Sequence, residues 1–147
     1  MIEGVQYLPL RRIPDDRGTV SHMLKRTDDV FSEFGEIYFT SLYPHVIKAW
    51  HVHIKMDLNY ACVSGAVRVV LFDDRKGSST QGQLEEYLLG DDAYYLLHIP
   101  HGVTNGMQCL GDDTAVVANC ASMPHDPKEM LRQEVGEIDF DWQTTLS

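Results

Sequence analysis

The eleven residues from Trp50 to Tyr60, Trp-His-Val-His-Ile-Lys-Met-Asp-Leu-Asn-Tyr (WHVHIKMDLNY), alternate apolar and polar without a break. In an extended strand successive side chains point to opposite sides, so a period of two sorts them into two faces. His51, His53, Lys55, Asp57 and Asn59 share one face; Trp50, Val52, Ile54, Met56, Leu58 and Tyr60 share the other. Two arrangements satisfy this pattern. Either the polar face meets bulk water over an ordinary core, or it lines a barrel wide enough for a ligand, with the apolar face covered by another sheet or a subunit.

Outward from this stretch the chain continues in the same style. Short β-rich runs (GEIYFTSLY, NYACVSGAVRVVLFDD, QLEEYLLGDD, AYYLLHIP, TAVVANCA) are separated by turn residues at Asp15-Asp16, Ser64-Gly65, Gly77-Ser78, Gly90-Asp91-Asp92, Pro100-His101-Gly102 and Gly111-Asp112-Asp113. Strands at this spacing with few helical periods predict an all-β antiparallel sandwich or small barrel with little helix. One short helix is expected over PKEMLRQEV, from Pro127. At 147 residues the whole chain, 1–147, reads as a single domain that buries roughly two-thirds of its unfolded surface.

Twelve basic against 22 acidic residues give a net charge of −10. Such a field repels nucleic acid and anionic membrane surfaces, so neither is expected as a partner. An anionic small molecule requires a local cationic pocket, which makes each lysine or arginine near a site informative. Much of the acid falls in GDD, TDD and the tail EVGEIDFDW, read as solvated turns and a solvated terminus. No apolar run approaches the roughly 18 residues of a membrane span. The opening MIEGVQYLPLRRIPDD lacks a signal peptide's apolar centre. Cys62, Cys109 and Cys120 are odd in number, far apart and set among apolar residues, as reduced buried thiols of a cytoplasmic protein are.

Four segments, in order, resemble the dTDP-4-dehydrorhamnose 3,5-epimerase family of the cupin superfamily. Pro14-Asp-Asp-Arg-Gly18 resembles its Asp-x-Arg-Gly entry, and Ile47-Lys-Ala-Trp-His51 its Leu-Arg-Gly-Leu-His segment. Asp74-Arg-Lys-Gly-Ser-Ser-Thr-Gln-Gly82 resembles its Asp-x-Arg-x-Gly-Ser-Pro-Thr-x-Gly loop, and Ile99-Pro-His-Gly-Val-Thr-Asn-Gly106 its Ile-Pro-x-Gly-Phe-Ala-His-Gly turn. His51-Val-His53-Ile-Lys55 is also similar to the His-x-His-x-Lys of the sugar-nucleotide 3,4-ketoisomerases. The resemblance implies a cupin-type antiparallel β-barrel (jelly roll), a homodimer, and an isomerase acting on a nucleotide-linked 4-keto sugar. The chain departs from the family pattern at four places: Lys48 replaces its arginine, Leu58 its substrate-flanking lysine and Asn105 its turn histidine. Met123, in Cys120-Ala-Ser-Met-Pro124, replaces its general-acid tyrosine.

Moving a stereocentre beside a carbonyl means removing a carbon-bound proton, and a histidine near neutral pKa suits that task. His51 is the candidate base and His53 the second proton carrier. Lys48 or Lys55 would steady the enolate, although strand parity puts Lys48 on the apolar face unless a bulge intervenes. Tyr38, Tyr43, Tyr60, Tyr94 and Tyr95 are candidates to replace the missing phenol. The resemblance implies a carboxylate from the tail behind the catalytic histidine, with Glu134 the nearest match and Asp57 a local rival. It also implies diphosphate contacts from Arg17 and Lys48. Lys55, Asp57 and Asn59 on the polar face, and Asn105 at the turn, complete the substrate contacts.

His51, His53 and Asp57 also form the front half of a two-histidine, one-carboxylate metal pattern. The turn that would add a third histidine carries Asn105, a poor ligand, so no metal and no cofactor are called for. His22, His45, His98, His101 and His125 carry no motif and read as structural or solvent-exposed. A metal-dependent cupin and a non-catalytic sugar-nucleotide binder stand as the alternatives.

Overall fold

The computed structural model describes residues 1–145. The described residues form twelve strands: β1 (Gln6–Pro9), β2 (Arg12–Asp15), β3 (Gly18–Ser21), β4 (Glu36–Leu42), β5 (Ile47–His53), β6 (Leu58–Ser64), β7 (Ala66–Asp73), β8 (Leu84–Gly90), β9 (Tyr95–Ile99), β10 (Val103–Leu110), β11 (Ala115–Ala121) and β12 (Met130–Arg132). One antiparallel sheet runs β1-β9-β6-β11-β4, the other β12-β5-β10-β7-β8, and β2-β3 forms a separate hairpin. These two sheets form the antiparallel sandwich that the strand spacing predicts and the jelly roll that the family resemblance implies. Among the described residues, helix is limited to 3-10 turns at Pro127–Glu129 and Val135–Glu137, and none is long and apolar enough to cross a membrane.

Alternate residues of both sheets interdigitate in the core: Leu58, Tyr60 and Cys62 from β6, Val67, Val69 and Leu71 from β7, Met107 and Cys109 from β10, and Val117 from β11. A second cluster forms on the outside of β5. There Trp50, 1% exposed, packs with Val70, Ile138 and Trp142. The tail is therefore not the solvated terminus its acids suggested. Its aromatics cover the apolar face of β5, and Trp50 Nε1 donates to the Val135 carbonyl at 3.0 Å. Buried Arg68 ties the tail down further by donating to the Trp142 carbonyl at 3.2 Å.

The period of two in WHVHIKMDLNY does not belong to one strand. β5 ends at His53 and β6 begins at Leu58. Between them the Lys55 and Met56 amides leave the ladder and donate to the Glu129 carboxylate at 3.2 and 3.3 Å. PKEMLRQEV likewise forms no helix beyond its first turn. Met130, Leu131 and Arg132 pair instead with His53, Val52 and His51 as an added edge strand, so tertiary pairing overrides local propensity.

Candidate functional site

A cavity of about 820 Å³ opens among β4, β5, β6, β10 and β12. That is within the range of small-ligand sites, roughly 300–1,000 Å³. Two residues apart on β5, His51 and His53 both line it, their rings meeting edge to face with centroids 5.6 Å apart. Tyr38 from β4 and Tyr60 from β6 complete its inner wall, and exposed Arg132 from β12 lines it together with Glu36, His125, Glu134 and Glu137.

Lys48 reaches the same cavity because of a bulge. Along β10, Asn105 pairs with His51 but Met107 pairs with Lys48, so three steps on β5 oppose two on β10. The extra residue reverses parity and turns Lys48 to the histidine side. Gly106 sits opposite this bulge; a β-carbon there would lie 2.6 Å from Ala49 Cβ.

The carboxylate behind the histidines comes from Glu129. Asp126 caps the 3-10 turn at its start, accepting from the Lys128 amide at 3.0 Å. The Ile54 amide donates to the Glu129 carbonyl at 2.8 Å. Held in this way, the 6%-exposed Glu129 accepts a hydrogen bond from His53 Nδ1 together with the two loop amides. Burial pushes its carboxyl pKa up, but the His53 bond, the amides and the His53 charge outweigh that and hold it below the usual glutamate value. An ionised carboxylate only accepts, so Nδ1 carries the shared hydrogen and Nε2 is the ring atom left for chemistry.

His51 has no comparable partner: no side chain among the described residues hydrogen-bonds its ring. Burial first, then the neighbouring charges of His53 and Arg132, lower its pKa to about 4. It is therefore a neutral imidazole at pH 7, ready to accept a proton. Because protonation disables the base, kcat/KM should hold from pH 7 down to pH 5 and fall only as pH drops through about 4. A pH–rate profile with its acid limb near the ordinary histidine value of about 6.5 would contradict this placement.

Of the nine residues named from sequence, His51, His53, Lys48 and Glu134 line the cavity. Glu134 lies at its exposed edge, its amide donating to Glu137 at 3.1 Å. It bonds neither histidine among the described residues, so the tail supplies the orienting carboxylate from Glu129, and to His53. Arg17 does not reach the cavity. It sits in the turn between β2 and β3, 85% exposed and paired with Asp15 at 2.8 Å. Lys55 is exposed in the β5–β6 loop. Asp57 accepts from both the amide and Nδ1 of His101, each at 2.9 Å. Asn59 turns away from the cavity side of β6, donating to the Cys120 carbonyl at 3.0 Å and bonding His98 Nδ1 at 2.8 Å. The break after His53 explains all three of these last placements. Asn105 is fully buried behind the wall, contacting the His51 carbonyl and the Tyr60 hydroxyl, each at 3.5 Å.

Of the candidate phenols, Tyr38 and Tyr60 line the cavity, and burial raises the pKa of both. Tyr43 is 73% exposed, Tyr94 lies under the Arg12 guanidinium, and Tyr95 stacks on Tyr7. Met123 packs against the core and is not a lining residue. Sequence reasoning missed Glu129 and Arg132 because their segment was read as a helix, and it dismissed His125 for want of a motif. Among the described residues, no three His, Cys, Asp or Glu side chains gather as a metal ion would need.

A family model described as dTDP-4-dehydrorhamnose 3,5-epimerase matches residues 1–147. The spore coat polysaccharide biosynthesis protein SpsL of Bacillus subtilis is 32% identical, covering 98% of both chains. The probable low-salt glycan biosynthesis epimerase Agl13 of Haloferax volcanii is 26% identical over 99% of this chain and 97% of its own. Among solved structures, a dTDP sugar isomerase from Desulfovibrio desulfuricans G20 superimposes with a TM-score of 0.95 at 42% identity, covering 99% of this chain and 95% of that one.

Proposed function

The chain belongs to the dTDP-4-dehydrorhamnose 3,5-epimerase family, an isomerase family, and from that premise we propose that it inverts a carbon beside the C4 carbonyl of a nucleoside-diphosphate 4-keto sugar. One observation carries the proposal: a neutral imidazole, His51, shares a ligand-sized cavity with two cations, Lys48 and Arg132. His51 removes the proton alpha to the carbonyl. The C–H electron pair becomes the enolate double bond, and the carbonyl pair moves onto oxygen. Lys48 and Arg132 supply the positive charge that enolate and diphosphate both need within a chain of net charge −10. His53, steadied by Glu129, is the second acid–base group beside His51. Glu134 contributes a contact at the rim.

The working unit in this reading is a homodimer in the cytoplasm. Free Cys62, Cys109 and Cys120 support the compartment. The exposed apolar side chains Ile37 and Phe39 on edge strand β4 support a second copy.

Incubation in D₂O with a thymidine-diphosphate 4-keto-6-deoxyhexose tests the proposal. Deuterium is expected at a carbon adjacent to the carbonyl, read by NMR or mass spectrometry. Thermal stabilisation by the same sugar nucleotide with no deuterium uptake would replace the enzyme by a binder.

A further inference from the structure

Inversion needs a proton donor on the face of the sugar opposite the base, and the hydrogen bonds around β4 single one out. On β4, Glu36, Tyr38 and Thr40 face the cavity while the exposed Ile37, Phe39 and Ser41 face away. β4 belongs to one sheet and His51's strand to the other, so the Tyr38 phenol and the His51 imidazole stand on opposing walls of one cavity.

The direction of the Tyr38 proton follows from its neighbour. The backbone amide of Asn59 donates to Asn119 Oδ1 at 2.9 Å. A backbone N–H can only donate, so the Asn119 oxygen is fixed on that side and its amide nitrogen must point the other way. That nitrogen, Nδ2, donates to the Tyr38 hydroxyl at 2.9 Å. The phenol oxygen is thereby committed as an acceptor, and no acceptor among the described residues takes its own hydrogen. Tyr60 differs: its hydroxyl is turned toward Asn105 Oδ1 at 3.5 Å, and the side chain is 5% exposed within the core.

Resting on the epimerase reading above, we propose that Tyr38 is the catalytic acid that returns a proton to the sugar on the face opposite His51. The enolate carbon takes the Tyr38 hydrogen; the C=C electron pair forms the new C–H bond, the carbonyl reforms, and a phenolate remains. Water then restores the phenol while the His51 imidazolium loses its proton, so no net proton is consumed. A phenol, at pKa about 10, is far more acidic than the carbon it protonates, so the transfer is downhill even though burial raises the Tyr38 value. Asn119 acts through Tyr38 and is a positioning residue.

The test follows deuterium uptake and inversion separately in D₂O, with a thymidine-diphosphate 4-keto-6-deoxyhexose. In Tyr38→Phe, His51 still removes and returns protons on its own face, so uptake should persist. Inversion should fall by roughly 10²–10⁴-fold, the usual contribution of a general acid. Inversion at the wild-type rate overturns the assignment. So does equal loss of both activities in a variant that melts like wild type, because Tyr38 would then serve binding or proton removal. Incorporating 3,5-difluorotyrosine at position 38 preserves shape and makes the phenol more acidic. The alkaline limb of inversion should move to lower pH, and a limb that stays in place also overturns the proposal. Wild-type protein that shows no uptake sinks the epimerase reading together with this one; uptake with unimpaired Tyr38→Phe inversion sinks only the phenol.

Discussion

Replacement of His51 by asparagine is expected to abolish deuterium uptake from D₂O into the sugar and to lower turnover by about 10³-fold or more, as loss of a general base does. Asparagine retains a polar side chain of similar reach but has no basic nitrogen. The imidazole it removes hydrogen-bonds no side chain among the described residues and is neutral at pH 7. Folding therefore loses packing but no ion pair, and the melting temperature should change little. The two readouts separate in a way that identifies the role. A binding contact would raise KM and leave kcat near its wild-type value, whereas a base acting only in proton removal lowers kcat at nearly constant KM. Unchanged uptake in the His51→Asn protein would move the base to His53, the other imidazole on that wall.

The all-β antiparallel architecture was legible because period-two runs separated by Gly and Asp turns report strands directly, whichever strands pair; its jelly-roll form came from the family resemblance. The histidine pair was legible for the same reason, since two residues at i and i+2 share a face in any strand that contains them. Beyond His53 the pattern misled. Lys55, Asp57 and Asn59 continue the alternation in sequence, but the chain bends between β5 and β6, and nothing in the local pattern marks that bend. Its cause is 74 residues away, where the Glu129 carboxylate draws the Lys55 amide out of the ladder. The tail was recognised as a source of a carboxylate, yet Glu129 and Glu134 are equally acidic on paper. Only the 3-10 turn after Asp126, and the pairing of β12 with β5, decide which of them reaches a histidine. Lys48 shows the converse case: parity excluded it, a bulge was the stated exception, and the three-against-two register with β10 supplies one.

Glu129 carries the second large effect, and here the two obvious substitutions should behave alike. Glu129→Ala removes the acceptor for His53 Nδ1 and for the Lys55 and Met56 amides. Unsatisfied buried donors cost about 1–3 kcal/mol, which for a domain of this size means a melting temperature lower by roughly 2–10 °C. Glu129→Gln keeps the shape but not the pattern of acceptors. If its oxygen faces His53, its amide hydrogens meet the loop amides, donor against donor. If its oxygen faces the loop, the NH₂ group demands a lone pair at Nδ1 and forces the hydrogen onto Nε2, the tautomer unable to accept a proton in the cavity. Turnover should therefore fall by about 10²-fold or more in both variants, with calorimetry showing both less stable than wild type. Since the folded Glu129 pKa lies below its ordinary value, this stability is present at neutral pH and is lost only as pH falls below the ordinary glutamate range. The gap between wild type and Glu129→Gln should accordingly narrow toward pH 3. A Glu129→Gln protein as active and as stable as wild type at pH 7 would mean that the His53 tautomer is set by something other than this carboxylate.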